Sequence, residues 1–184
     1  MFRSPLRLLV LALTTAIAAL VVPATAQAAP YCGITWGSLP KTAGTLSQAA
    51  LVATRTGQDA CWDRVVFEFN ESVTGYDVRY REVYTEGQGL PMSPYTAGGA
   101  VLGVQLYAPA YQDGQPTYPA VGGDHVARVI GYQSLRDMMF GGSFEGYTTF
   151  AVGVRAQLPF RVFVLAGPGT HSRVVLDVLH RWRE

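Results

Sequence analysis

From residue 50 onward the chain alternates between apolar and polar positions. CWDRVVFEFNE at 61–71 puts Val65, Phe67 and Phe69 on one side and Arg64, Val66 and Glu68 on the other. A period of two is the signature of a strand with one buried face. GYDVRYREVY at 75–84 repeats it, with Tyr76, Val78, Tyr80 and Tyr84 on a shared face. AVLGVQLYAP at 100–109 is more continuously apolar, which predicts a central strand. ALVATRTG at 50–57, YTTFAVGVRA at 147–156, PFRVFVLAG at 159–167 and RVVLDVLHRW at 173–182 read as further strands. HVARVIGYQSLRDMMFGG at 125–142 holds one or two more, with Leu135-Arg136-Asp137 unassigned. The stretch APAYQDGQPTYPAVGG at 108–123 carries three prolines and three glycines and reads as a long surface loop without regular structure. No segment keeps a helical period over the roughly 12 residues a stable helix needs. Many short strands bounded by turns predict an all-β fold, an antiparallel β-sandwich with a barrel as second choice.

The first 29 residues do not belong to that pattern. Arg3 and Arg7 precede an uncharged apolar run from Leu8 to Val22, then Pro23 and the small-residue sites Ala24-Thr25-Ala26 and Ala26-Gln27-Ala28. This is the layout of a secretory signal peptide, and the run is shorter than the ~20 residues a membrane-spanning helix needs. The expected organisation is a signal peptide at 1–29 and a single domain at 30–184, opening on an irregular arm (YCGITWGSLPKTAGTLSQ). No stable membrane insertion is expected after cleavage.

Export changes the reading of charge and cysteine. Without Arg3 and Arg7, the 14 basic residues become 12, against 13 acidic ones. A near-neutral chain offers no bulk basic field for nucleic acid. Cys32 and Cys61 are the two cysteines of the exported part, and in an oxidising compartment two thiols pair. A metal site or a reactive thiol is the alternative for them. Two cysteines so far apart, with no histidine near either, make a poor zinc site.

One internal echo is visible. Arg64-Val65-Val66-Phe67-Glu68 and Arg173-Val174-Val175-Leu176-Asp177 share the order base, apolar, apolar, apolar, acid. Both predict strands whose outer faces carry ion pairs. The segments CWDRVVFEF, GSFEGYTTFAVGVRAQLPFRVFVL and SRVVLDVLHRW resemble the AMIN-like domain of secreted proteins from high-GC Gram-positive bacteria. The resemblance runs from about Tyr31 to Trp182. That domain is similar in turn to the AMIN domain, a β-sandwich that accompanies cell-wall amidases and envelope secretion components and targets them to peptidoglycan. The resemblance implies an exported, non-catalytic, envelope-associated domain. It carries over no site residues, and no amidase or other partner domain is expected beside this one.

Catalytic patterns are weak. Gly141-Gly142-Ser143-Phe144-Glu145 misses the last glycine of the G-x-S-x-G elbow, and no helix follows. His125, His171 and His180 show no metal-ligand spacing and read as solvent-facing loop and strand-end residues. Asp137 and Glu145 bracket an expected bend and can face one another as a glycosidase pair would, though turn carboxylates are the commoner explanation. The run Tyr76-Asp77-Val78-Arg79-Tyr80-Arg81 interleaves aromatics with arginines, as single-strand binders do. In an exported near-neutral chain it reads as a strand with one aromatic and one charged face. No catalytic residue, metal or cofactor is assigned.

What remains is GSFEGY at 142–147. Glu145 stands between Phe144 and Tyr147 among turn-forming glycines. With Phe144 exposed, ring and carboxylate suit a saccharide. With Phe144 buried, Glu145 pairs with Arg136 or Arg155. The expected role is binding of peptidoglycan or another cell-wall glycan through Phe144, Glu145, Tyr147, Tyr111 and Tyr118. The alternatives are a secreted protein-binding module using the tyrosines of the 108–123 loop, which suit contact surfaces, and a small hydrolase.

Overall fold

The computed structural model describes residues 31–182; the leader read at 1–29 lies outside them. Eleven strands form among the described residues: β1 (Lys41–Ala43), β2 (Leu51–Gln58), β3 (Trp62–Phe69), β4 (Tyr76–Tyr80), β5 (Ala100–Leu106), β6 (Tyr111–Gln112), β7 (Gln115–Pro116), β8 (Leu135–Phe144), β9 (Tyr147–Val154), β10 (Phe160–Ala166) and β11 (Ser172–Leu179). Two antiparallel sheets result, in the orders β1-β4-β5-β9-β8 and β10-β11-β3-β2, with β6-β7 as a small separate hairpin. The sheets do not close into a barrel. The fold is the antiparallel sandwich that the alternation predicts, and β5 is central in its sheet.

The core lies between the sheets. Val65, Phe67 and Phe69 of β3 and Val174, Leu176 and Val178 of β11 face Val104, Leu106, Phe150 and Val152 of the other layer. Phe67 and Phe150 meet across the gap at 5.0 Å between ring centroids, and Phe140 joins Phe150 at 5.2 Å. Each fully buried ring contributes ~1.5–3 kcal/mol of transfer free energy. Tyr76 and Tyr80 also point inward, their hydroxyls donating to the Val162 and Leu158 carbonyls.

One end of the sandwich is closed by a carboxylate. Asp63 is fully buried on the inner side of β3. Its Oδ2 accepts the Ser134 and Leu135 N–H groups at 2.5 and 2.9 Å, and its Oδ1 lies 3.0 Å from His180 Nε2. The three partners come from the entry to β8 and the end of β11, so one side chain joins both sheets. His180 is therefore buried rather than solvent-facing. A histidine before Arg-Trp at a chain end gives no sequence sign of such a partner.

Several local expectations are corrected. β4 stops at Tyr80, so Tyr84 does not share its face and is exposed. The chain from Arg81 to Gly99 instead folds over the outer side of the five-stranded sheet, where Val83 and Met92 pack on Met139 and Ala151. Gly153 makes that approach possible, because a Cβ there would stand 1.9 Å from the Ala97 carbonyl oxygen. The 108–123 stretch does hold regular structure. Asp113 (φ 50°) and Gly114 (φ 74°) form the turn of the β6-β7 hairpin, as an Asp-Gly pair favours. The irregular arm contains β1, which pairs with β4. Cys32 and Cys61 form the expected disulfide, with Cα atoms 6.5 Å apart, and tie the arm to the start of β3. Residues 125–134 form no strand; β8 starts at Leu135, and residues 123–126 cover its free edge with bonds such as Val126 N–H to the Met138 carbonyl. Covering an edge in this way blocks pairing with other chains.

Candidate functional site

β8 and β9 form a long hairpin closed by two residues. Phe144 faces Tyr147 in register, leaving Glu145 and Gly146 as the turn. Their φ angles are 50° and 84°. Positive φ at both central residues defines the I′ turn that matches strand twist. Glycine suits the second place, whereas a glutamate in the left-handed region is held at a cost of order 1 kcal/mol.

Ser143 serves this turn. Its hydroxyl donates to the Tyr147 carbonyl at 2.8 Å and accepts the Ala110 N–H at 2.9 Å and the Thr148 hydroxyl at 3.0 Å. A hydroxyl so engaged is a structural tie between hairpin and loop, and among the described residues no His, Asp or Glu side chain bonds it. The loop reaches the same place through Tyr111, whose hydroxyl accepts the Gly146 N–H at 3.1 Å. Tyr147 packs edge-on against Tyr107 at 5.5 Å. The two regions that the sequence singled out separately, GSFEGY and 108–123, thus meet at one end of the five-stranded sheet.

At that end Phe144 is 52% exposed. Glu145 is exposed, and among the described residues its carboxylate makes no hydrogen bond or ion pair. The pairing with Arg136 or Arg155 does not occur. Leu135 faces Val154 at the opposite end of the hairpin, so both arginines lie a full strand length away. Beside the turn, an open groove of about 410 Å³ runs between β8 and the β6-β7 hairpin, lined by Tyr111, Pro116, Tyr118, Phe140 and Ser143 among others. Phe144, Glu145, Tyr111 and Tyr147 share this tip. Tyr118 does not stand on the surface with them. It is 6% exposed, its ring packs on Phe140 and Phe150 at 5.1 and 5.8 Å, and its hydroxyl bonds Thr54 at 2.8 Å. The proline-flanked tyrosine is drawn inward to fill the core beneath the loop, and burial raises its pKa.

The other candidates stay apart. Asp137 and Glu145 are separated by β8, and eight residues at about 3.3 Å each span roughly 25 Å, far beyond a glycosidase pair. No bend intervenes, because the glycines at 141–142 produce a bulge inside a continuous strand. Asp137 is occupied: it accepts the Ala97 and Met138 N–H groups and lies 2.8 Å from His125 Nδ1. His125 itself is solvent-facing, as is His171. No spacing in the chain signals the His125–Asp137 contact, which depends on residues 123–126 lying along β8. The Tyr76–Arg81 run splits as a sheet should. Asp77 and Arg79 form an outer ion pair with Thr42 bonded to the same carboxylate. Burial pushes the Asp77 carboxyl up, but its hydrogen bonds to Arg79 and Thr42 and the nearby Arg79 and Arg81 charges bring it below its ordinary value. Among the described residues no group of three or more His, Cys, Asp or Glu could hold a metal ion. No helix among them is long and apolar enough to cross a membrane.

The tip thus presents a phenyl ring and a carboxylate at the loop end of a two-layer sandwich. The profile of the AMIN-like domain family matches residues 49–180, and the chain belongs to that family. Domains of this kind are generally non-catalytic and associate with the cell envelope. No curated protein and no solved structure matches the chain.

Proposed function

We propose that the protein is exported and binds peptidoglycan or another cell-wall glycan through the β8-β9 tip, without catalysing a reaction on it. The observation that carries this reading is Glu145. Its backbone is held in an unfavourable conformation, and its carboxylate makes no bond among the described residues and stands beside an exposed phenyl ring. Strain without an internal return is an argument for a role outside the fold. A pyranose ring lays its C–H face on Phe144, while its hydroxyls donate to Glu145 and the Tyr111 side completes the groove. Such a contact is shallow and fits weak, multivalent attachment to a polymer.

Co-sedimentation with purified peptidoglycan sacculi tests it. The wild-type chain is retained, and Phe144→Ala and Glu145→Gln each lose most of that retention while keeping the wild-type melting temperature. Retention no better than that of an unrelated β-sandwich sinks the proposal. If sacculi fail but the chain captures a secreted protein through the β6-β7 hairpin, the protein-binding alternative takes its place.

A further inference from the structure

The outer face of the four-stranded sheet carries chemistry that the tip does not use. Its register aligns Arg161, Asp177 and Arg64 in one cross-strand row and Phe163, Val175 and Val66 in the next. Asp177 points away from the core yet is fully buried. Arg64 grips it with Nε at 2.6 Å and Nη2 at 2.8 Å, and Arg161 with Nε at 2.8 Å and Nη2 at 2.7 Å. Two positive charges share one negative charge. Each guanidinium keeps its other terminal nitrogen, with two N–H donors, for a further acceptor. The arginine side chains remain 34% and 27% exposed.

Aromatic rings surround this row. The Arg161 guanidinium carbon lies 5.2 Å from the Trp36 ring, 5.0 Å from Trp62 and 4.9 Å from Phe163. Trp36 and Trp62 are themselves 5.6 Å apart. Arg173, four residues before Asp177, adds a second cationic position about 13 Å along the strand. It faces Glu68 in register, but Glu68 bonds Arg55 instead at 2.9 Å. Among the described residues no carboxylate lies within 4.0 Å of Arg173, and its Nε is buried without a hydrogen-bond partner. The face therefore holds Arg55, Arg64, Arg161 and Arg173 against Glu68 and Asp177, with the Asp59 carboxylate also near Arg64, a net of one positive charge on a chain that is slightly acidic from residue 30 onward.

Stability alone is a poor reason for such a face. A buried carboxylate shared by two arginines is often no more stable than apolar residues of the same volume. We propose that this face binds an acidic polysaccharide, with sugar rings against Trp36, Trp62 and Phe163 and carboxylates on Arg161, Arg64 and Arg173. The two cationic positions are farther apart than the ~8 Å screening length at physiological salt, so they act on separate groups of the ligand. That spacing suits a polymer with well-separated carboxylates rather than a dense polyphosphate. The face lies on the other sheet from the β8-β9 tip, so the two contacts are independent, and neither proposal needs the other.

The test uses polygalacturonate as the acidic glycan, dextran as a neutral one and polyglutamate as a polyanion without sugar rings, in affinity electrophoresis with the exported chain. Polygalacturonate retards the wild-type protein, and raising salt from about 50 to 300 mM weakens the effect. Trp36→Ala and Arg161→Gln each weaken binding roughly tenfold, a loss of about 1.4 kcal/mol, whereas Leu90→Ala, at an exposed side chain on the 81–99 segment over the other sheet, leaves it unchanged. Arg161→Gln removes one of the two partners of a buried carboxylate and can unfold the chain. Arg173→Gln breaks no ion pair, keeps the melting temperature and weakens binding about threefold. Wild-type binding by both Trp36→Ala and Arg173→Gln overturns the proposal, as does equal binding of dextran or of polyglutamate.

Discussion

Replacing Glu145 by Asn separates what the turn needs from what the site needs. Glu145 and Gly146 hold φ 50° and 84°, angles for which Asn-Gly is the preferred pair. An ordinary L-residue in the left-handed region costs roughly 1–2 kcal/mol, and Asn relieves much of that. Nothing among the described residues offsets the cost, because the carboxylate bonds to none of them. Glu145→Asn is therefore expected to raise the unfolding free energy by about 1 kcal/mol. With a urea slope of roughly 2 kcal/mol/M for a domain of this size, the midpoint rises by about 0.5 M. In parallel, retention on peptidoglycan sacculi falls, because the acceptor for sugar hydroxyls is lost. A stability gain coupled to a binding loss is the mark of a residue kept for contact. If the urea midpoint stays or drops, Glu145 is not held at a cost, and the argument from backbone strain to a surface role collapses.

Three further predictions follow from the fold. Asp63→Ala strands two backbone N–H groups and His180 in the interior, so the unfolding free energy should fall by about 3–5 kcal/mol; a loss below about 1 kcal/mol in urea melts would show that Asp63 does not join the sheets. Burial pushes the Tyr80 hydroxyl up from 10.0 to about 12, so its contribution to stability is complete below pH 10 and disappears as pH rises through the folded value. Tyr80→Phe should reduce that alkaline slope, and an unchanged slope from pH 10 to 12 argues against it. Gly153→Ala places a methyl group against the Ala97 carbonyl, and should detach the 81–99 segment from the sheet, read as lost amide protection of Val83 and Met92; retained protection would mean that the close approach is not required.

The strands were legible where one residue in two faces the core. β3, β9, β10 and β11 declare themselves through Val65-Phe67-Phe69 and its counterparts. β1 is three residues long, too short for a period to register. The β6-β7 hairpin had its signal in Asp113-Gly114, but three prolines nearby outweighed it; Pro116 is tolerated because it ends a two-residue strand. The tip was legible in its residue types and not in its pairings. Arg136 and Arg155 are the nearest arginines to Glu145 in the chain, and only the hairpin register shows them at its far end. The echo between 64–68 and 173–177 held more than it was read for. Two copies of base-to-acid order placed antiparallel set Arg64 opposite Asp177 and Arg173 opposite Glu68, and the ion pairs that form, Arg64–Asp177 and Arg55–Glu68, run across strands. That Trp36 and Arg161 join this row follows from the arm and the β10 edge, which no periodicity reveals.

The most direct measurement is residue-level mapping by two-dimensional NMR of the chain from residue 30 onward, titrated with soluble peptidoglycan fragments. The account predicts amide shifts confined to Tyr107, Tyr111 and residues 143–147, saturating together, with Glu145→Asn weakening all of them. No shifts at the tip, or shifts concentrated at the His125–Asp137 contact or elsewhere on the fold, would contradict it.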